Sequence, residues 1–181
     1  MSVRGVLQVH SAPPALCSHV EWAVAGVIGV PVSLPWVSQA AAPGMVRAEL
    51  DWQGSPGASA TITSALAGWS RLRFEVTEEA SPGCDAVRYS CTPDLGVFSA
   101  VTSGNGDILI PESRLRAAML VATATDLVSH ARPGAAGSHP DPVSSLEDEI
   151  ARLLGQPWDD ELEPFRCAGD GAPVRWLHAT G

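Results

Sequence analysis

The sequence predicts an α+β protein, and three observations lead to that fold class. Residues 45–53 and 71–78 alternate strictly between apolar and polar side chains, which is the period of a strand with one buried face. Residues 14–28 and 55–69 repeat apolar side chains three and four positions apart, which is the period of an amphipathic helix. Glycines and prolines separate these segments. A hydrophobic content of 45% in 181 residues is enough to form a core.

The first three elements are a strand, a helix and an edge strand. The apolar run at 5–10 predicts a strand buried on both faces. The helix is expected to begin near Pro14, where the missing N–H costs nothing, and to stop at Gly29. Residues 32–39 are also typical of a strand, but Pro35 confines it to a sheet edge.

The next three elements complete a recognisable order. The strand at 45–53 is followed by a helix that we expect to open with Ser55 as N-cap and Pro56 at its first position. The strand at 71–78 directs Leu72, Phe74 and Val76 inward. The resulting order, βαββαβ, predicts a ferredoxin-like N-terminal half over residues 1–80.

The second half, residues 84–181, is expected to form another α+β unit packed on the first. Its three strands form a predicted β-meander at 87–91, 97–102 and 108–110. Two or three helices and a last strand are expected to follow. A helix runs from Pro111 to Ser129, a flexible loop lies at 131–142, and Ser144 and Glu147 form a capping box. Residues 157–165 form a short helix or a turn, and residues 174–178 a C-terminal strand.

Charge and segment composition limit the class of protein. The chain has eleven basic residues against twenty Asp and Glu, so its formal net charge is −9. Clustered cations bind a nucleic-acid backbone, so this balance argues against a nucleic-acid partner. The sequence shows neither an export signal nor an apolar run of the ~18 residues that a membrane span needs. With four cysteines and no Cys-x-x-Cys pair, we expect a cytoplasmic protein with free thiols and no membrane partner.

One candidate catalytic or ligand-binding site lies at the first strand-helix junction, with His10, Cys17 and His19. Cys17 falls in the first helical turn, where the helix dipole favours a reactive thiolate. His19 lies about 200° from Cys17 around the helix, so only His10 is expected to reach the thiol. An acyl or thioester substrate would suit such a site. The alternative is a packed thiol beside capping or surface histidines.

Candidate partner-binding residues are Trp36 on the edge strand and Trp158, Asp159, Asp160 and Glu161 at the start of the short helix. Acids at a helix start are equally explained as solvated groups that interact with the helix dipole. The sequence has no zinc-type Cys/His spacing and no glycine-rich phosphate or dinucleotide motif, so it predicts neither a metal nor a cofactor.

Six stretches that span nearly the whole chain resemble an actinobacterial family, the domain of unknown function 3145; they are residues 9–22, 48–54, 72–78, 92–98, 110–119 and 158–166. The resemblance implies a link to type II fatty-acid synthesis. It assigns no activity, cofactor or catalytic residue to this chain. Together, these signals predict a non-catalytic binding or regulatory module that acts through protein contacts. Its partner is another protein or, as a homo-oligomer, a second copy, and the alternative is the small enzyme or ligand-binding protein with His10, Cys17 and His19.

Overall fold

The computed structural model describes residues 2–130 and 145–166. The elements of the first half are β1 (Val3–Ala12), a 3-10 turn (Pro14–Leu16), α1 (Cys17–Ile28), β2 (Val37–Ser38), β3 (Val46–Gly54), α2 (Ala58–Leu66) and β4 (Arg73–Glu78). Those of the second half are β5 (Ala86–Thr92), β6 (Gly96–Thr102), β7 (Ile108–Leu109), α3 (Glu112–His130), α4 (Leu146–Leu153) and α5 (Gln156–Arg166).

The strands form one antiparallel sheet in the order β2-β3-β1-β4-β5-β6-β7, as far as the described residues extend. This confirms the α+β class. The order β2-β3-β1-β4 of the first four strands is compatible with the predicted ferredoxin-like arrangement. Central strand β1 pairs with both β3 and β4, and Leu7 lies opposite Leu50 on one side and Val76 on the other. The meander strands β5 to β7 continue this same sheet.

The main core lies where α1 and α2 pack on one face of the sheet. Each helix presents its apolar stripe: Val20 and Val24 from α1 and Ile62 and Leu66 from α2 are completely buried. The inward residues of β1 and β4 meet them, with Leu7, Val9, Phe74 and Val76 at 1% exposure or less. Fully burying such a side chain contributes roughly 1.5–3 kcal/mol. This contact explains why the two helices lie on one face of the sheet.

The opposite face of the sheet is partly covered by α5. Trp158 packs on Phe98 of β6 with ring centroids 5.2 Å apart, and its indole N–H donates to the Gly96 carbonyl at 3.0 Å. The Arg73 guanidinium lies over the Phe165 ring at 4.8 Å, and Leu162 is completely buried. The predicted short helix at 157–165 is therefore confirmed, and it packs on the sheet.

The predicted strand at 32–39 is mostly wrong, because only Val37 and Ser38 join the ladder. The preceding N–H groups are used elsewhere: Leu34 donates to the Glu21 carboxylate and Trp36 to the Leu34 carbonyl, both at 2.9 Å. Pro35 has no N–H to offer. The expectation of an edge position is confirmed, since β2 ends the sheet.

The start of α2 also differs from the prediction, because Ser55 and Pro56 precede the helix and its N-cap is Gly57 at φ 85°. The carboxylate of Glu78, at the end of β4, satisfies the free backbone donors instead. It accepts from Gly57 N at 2.8 Å, from Ser59 N at 3.0 Å and from the Ser59 hydroxyl at 2.7 Å. Burial by itself would raise the pKa of Glu78, but these hydrogen bonds outweigh burial and lower it.

The capping box of α4 is shifted by one residue from the predicted pair Ser144 and Glu147. Ser145 accepts from Asp148 N at 3.1 Å, and the Asp148 carboxylate accepts from Ser145 N at 2.8 Å. Both pairs place a serine three residues before an acid, so the pattern alone did not distinguish them.

The long helix α3 lies close to its predicted limits, Pro111 to Ser129. Ala118 and Ala122 of its predicted apolar face are buried, whereas Leu115 is 38% and Met119 is 53% exposed. None of the described helices is both long and apolar enough to cross a membrane.

The chain divides into two compact units, one of residues Met1–Leu109 with the segment from Trp158 and one of Ile110–Pro157. These limits differ from the expected units 1–80 and 84–181, because the boundary near residue 80 falls between β4 and β5, which pair with each other. The expected loop at 131–142 and strand at 174–178 lie outside the described residues.

Candidate functional site

The structure does not bring His10, Cys17 and His19 together as a site. His10 is buried, and its Nε2 lies 2.7 Å from Glu75 Oε2. His19 is exposed on α1, while Cys17 is the partly exposed first residue of that helix. Among the described residues, no hydrogen bond joins these three side chains.

Cys17 does not have the activated thiol that its helical position predicts. Burial raises its pKa, the nearby charge of Glu21 raises it further, and a backbone hydrogen bond lowers it only in part. Glu21 instead accepts from Leu34 N at 2.9 Å and from the Trp36 indole N–H at 3.0 Å. A thiol with a raised pKa holds less thiolate near neutral pH, so the structure provides no support for a Cys17 nucleophile.

The sequence prediction missed a buried ionic cluster centred on Glu75, which we call the Glu75 cluster: His10, Glu75, Arg88, Ser90, Asp159 and Arg166. Glu75 Oε1 accepts from Arg88 Nη2 at 2.8 Å, from Arg166 Nη2 at 2.7 Å and from the Ser90 hydroxyl at 3.1 Å. Its Oε2 accepts from Arg166 Nε at 2.9 Å and faces His10. Asp159 accepts from both guanidinium groups.

The charges in this cluster stabilise one another. Burial by itself would raise the pKa of Glu75, but the hydrogen bond and charge of His10, followed by those of Arg166, hold it well below its usual range. Burial opposes the charges of Arg88 and Arg166, yet Glu75 and Asp159 outweigh it and raise the pKa of each guanidinium. Since both Glu75 oxygens already accept several hydrogen bonds, the cluster fastens α5 to the sheet and leaves no free carboxylate for a substrate.

Most of the predicted partner-binding residues are engaged in the fold of the first unit. Trp36 is half-buried against the core and donates to Glu21, and Trp158 packs on β6. Asp159 belongs to the Glu75 cluster, and Glu161 lies 3.1 Å from Arg73. Asp160 is exposed.

Backbone groups that no described strand pairs with lie along β3, near the edge of the sheet that ends in β2. Strand β2 pairs only with Val46 and Arg47. Within the described residues, no strand pairs with Ala48–Gly54 on the side away from β1. The two-residue length of β2 therefore leaves most of β3 as an open edge.

The ladder fixes which backbone groups point to this open edge. Glu79 N donates to the Arg4 carbonyl at 2.8 Å. The backbone N–H and C=O groups of the even residues of β1 are therefore directed at β4, and those of the odd residues at β3. The odd residues of β1 lie opposite the even residues of β3, which therefore bond to β1. The N–H and C=O groups of Glu49, Asp51 and Gln53 consequently point outward.

A groove of about 650 Å³ adjoins this edge. Its apolar wall includes Val27, Ile28, Val32, Leu50 and Trp52, and the segment that follows α1 forms its far side. The rest of the lining is polar and includes Ser33, Asp51 and Gln53. Outward strand groups beside a groove with apolar side chains along one wall are the two elements of a strand-addition site. The strand prediction at 32–39 concealed it, since a full-length strand there would have covered β3.

No metal site is evident: the described residues contain no group of three or more His, Cys, Asp or Glu side chains arranged to hold an ion.

Comparison with known proteins yields a family and nothing closer. No curated protein and no solved structure matches the chain. The model of one family, described as a protein of unknown function, DUF3145, matches residues 6–179. This match covers nearly the whole sequence, including most of β1, all of β3 and the Glu75 cluster. The chain therefore belongs to the DUF3145 family.

Proposed function

We propose that this protein is a non-catalytic binding module that takes an extended segment of a partner protein onto the open edge of β3. The observation that supports this proposal is the outward-facing backbone of Glu49, Asp51 and Gln53 beside a groove of about 650 Å³. Main-chain hydrogen bonds to such an edge provide affinity, and the adjoining groove provides specificity.

The enzyme alternative has no comparable support. Its thiol, Cys17, has a raised pKa, and His10 is held by Glu75 on the sheet. His19 is exposed on α1. We therefore do not propose an acyl-transfer or thioester reaction at this junction.

The proposed setting is the cytoplasm, with a regulatory role linked to type II fatty-acid synthesis. Sequence composition is the basis of the first part and the family resemblance the basis of the second. Strand addition at β3 requires neither the cytoplasmic setting nor the link to fatty-acid synthesis, so the experiment below assumes neither.

Affinity capture with an edge-blocked variant tests the proposal. Asp51→Pro removes an outward N–H and places a ring on the open side, whereas the bonds of β3 to β1 come from the even residues. Asp51→Ala is the matched control because it removes the same carboxylate and keeps the N–H. Both tagged full-length variants and the parent protein would be incubated with lysate of the native host, and co-purifying proteins identified by mass spectrometry.

We expect one or more proteins to be enriched with the parent, to be enriched to a lower level with Asp51→Ala, which lacks the carboxylate alone, and to be lost with Asp51→Pro. Circular dichroism and thermal unfolding must show that the proline variant is folded. An identical set of proteins with all three baits would refute strand addition at β3. If the proline variant fails to fold, Gln53→Pro with Gln53→Ala repeats the comparison one outward residue further along.

A further inference from the structure

We propose that the segment that binds β3 alternates cationic residues with apolar ones, and so is a basic, amphipathic strand. This inference rests on the proposed function and adds the chemistry of the partner. It depends on the two faces that the edge of β3 presents, one acidic and one apolar.

The acidic part of the outer face of β3 is Glu49 and Asp51, which lie on the open stretch of the strand. Arg47 and Gln53 flank them on the same face, and Arg47 lies where β2 covers the edge. Glu49 and Asp51 are both exposed, and they lie two residues apart on the same face of β3. Side chains directly opposite one another on neighbouring strands have Cβ atoms about 4.5–5.5 Å apart, so opposite charges there attract and like charges repel. An incoming strand would therefore place Arg or Lys at two alternate positions on this face.

The apolar face is the groove on the opposite side of β3. Leu50 and Trp52 point to this side, and Val27, Ile28 and Val32 extend the same wall. Because side chains of a strand alternate between faces, the residues between the cations of an incoming strand point into this groove. Apolar side chains there would bury surface that Val30, at 54% exposure, now shares with solvent.

The same charges disfavour a second copy of this chain as the occupant. The antiparallel registers that overlap most of the open stretch, Ala48–Gly54, bring Asp51 opposite Asp51 or Glu49 of the other copy, and each such pair is repulsive. The formal charge of −9 adds to this repulsion at longer range. A basic segment is repelled neither by Glu49 and Asp51 nor by the negative net charge of the chain.

Synthetic peptides test this inference on the full-length protein. The first is acetyl-Val-Arg-Val-Arg-Val-Arg-Val-amide, whose seven residues match the length of Ala48–Gly54. The second has Glu in place of each Arg. The third has the composition of the first in blocks, with three Arg followed by four Val, and so retains the charge without the alternation. Fluorescence anisotropy of labelled peptides gives the affinities.

We expect the alternating basic peptide to bind at least about tenfold more tightly than either control peptide, since two cross-strand pairs change sign or are lost. The variant Glu49→Gln/Asp51→Asn should weaken this binding by about tenfold and reduce its dependence on salt. Equal binding of the glutamate or block peptide would overturn the inference.

Residue-resolved hydrogen exchange locates the peptide and contains its own control. The amides of Glu49, Asp51 and Gln53 should exchange fast in the free protein and slowly with the basic peptide bound. The amides of Leu50 and Trp52, which face β1, should be slow in both states. Slow exchange of the outward amides in the free protein would mean that a second copy or residues 167–181 already fill the edge, and would overturn the inference.

Failure here is distinguishable from failure of the proposed function. Edge-dependent capture of a protein from lysate, together with no binding of the alternating basic peptide, refutes the basic-strand chemistry and leaves strand addition standing. Loss of edge dependence in the lysate experiment refutes both.

Discussion

Gly5 of β1 lies directly beneath the indole of Trp52 on the neighbouring strand. A Cβ at this position would come closer than 3.0 Å to the ring of Trp52 and to the backbone carbonyl of Thr77. The backbone on one side and a 3% exposed ring on the other leave no room for relaxation. Gly5 is thus required by packing, and its φ does not lie in the left-handed region.

We expect Gly5→Ala to lower the free energy of unfolding by about 3 kcal/mol, because the strand or the ring must shift. Gly26→Ala is the matched control, since Gly26 lies within α1 and a Cβ there meets nothing within 4 Å. That change should leave stability equal or raise it by about 0.5–1 kcal/mol. Urea unfolding of both variants measures the difference, and similar costs would contradict this account of Gly5.

The ionised Glu75 is expected to make the stability of the protein depend on pH. Its pKa in the folded protein is well below its value of about 4.3 in an unfolded chain. The stabilisation is therefore fully present above that unfolded value and is lost as the pH falls toward the folded pKa. Glu75→Gln should cost about 3 kcal/mol at pH 7, since Arg88 and Arg166 then share Asp159, and Arg166 has in addition the half-exposed Glu163 at 3.5 Å.

The measurement is urea unfolding of the parent and Glu75→Gln at pH 7 and pH 3. The stability difference between the two proteins should shrink at the lower pH. Glu49→Gln, at an exposed strand position, serves as the control and should change stability by less than about 0.5 kcal/mol at pH 7. A difference that is constant with pH would show that Glu75 is not ionised in the fold.

The burial of individual side chains was predicted well where the alternation of apolar and polar residues along a strand alone decides it. Leu72, Phe74 and Val76 are buried as expected. Helical spacing likewise accounts for Trp22, which is 78% exposed because it lies about 200° around α1 from the buried Val20. The Glu75 cluster could not be predicted, since Arg166 is 91 residues away in sequence and no local pattern links the two.

At the scale of elements, α2 depends on a neighbouring strand for its cap. Its own candidates, Ser55 and Pro56, lie in the turn before the helix, and Glu78 accepts from the first free N–H groups. The negative carboxylate also interacts favourably with the positive end of the helix dipole. Sequence rules for caps consider only local side chains, so a cap from a strand 19 residues further along escapes them.

We expect Glu78→Ala to reduce stability by about 1–2 kcal/mol, the usual loss on removing a helix cap. Glu79→Ala is the control one residue away: Glu79 lies 3.3 Å from Arg4, and both side chains are largely exposed. An exposed pair of this kind contributes about 0–1 kcal/mol. Thermal unfolding compares the two variants, and an equal effect would refute the capping role.

For the whole molecule, burial is concentrated in the unit that contains the sheet. Among residues 110–124 and 145–157 of the second unit, the buried hydrophobic side chains are Ala118 and Ala122 alone. Regions with few buried apolar contacts open most readily, so we expect the slowest amide exchange in β1 and β4 and markedly faster exchange in α3 and α4. Hydrogen-exchange mass spectrometry tests this, and equal protection of both units would contradict it.

The sequence predicted the order and type of the elements, because alternation, helical spacing and glycine or proline punctuation are local signals. It did not predict that β5 to β7 extend the first sheet, since strand pairing is a non-local choice. The open edge of β3 was hidden for the opposite reason: residues 32–39 have a strand-like composition, but the hydrogen bonds of Leu34 and Trp36 hold the segment off the ladder.

The position of β1 at the centre of the sheet also affects the biosynthesis of the protein. Gly5 pairs with Trp52 and Glu78, which are translated 47 and 73 residues later, so β1 cannot pair on both sides until both have been synthesised. At ~5–20 residues per second, β1 leaves the ribosome roughly 4–15 s before its last partner strand does. During that interval the nascent chain exposes an apolar strand that lacks its native partner strands. We therefore expect ribosome-associated chaperones to bind it until β4 emerges.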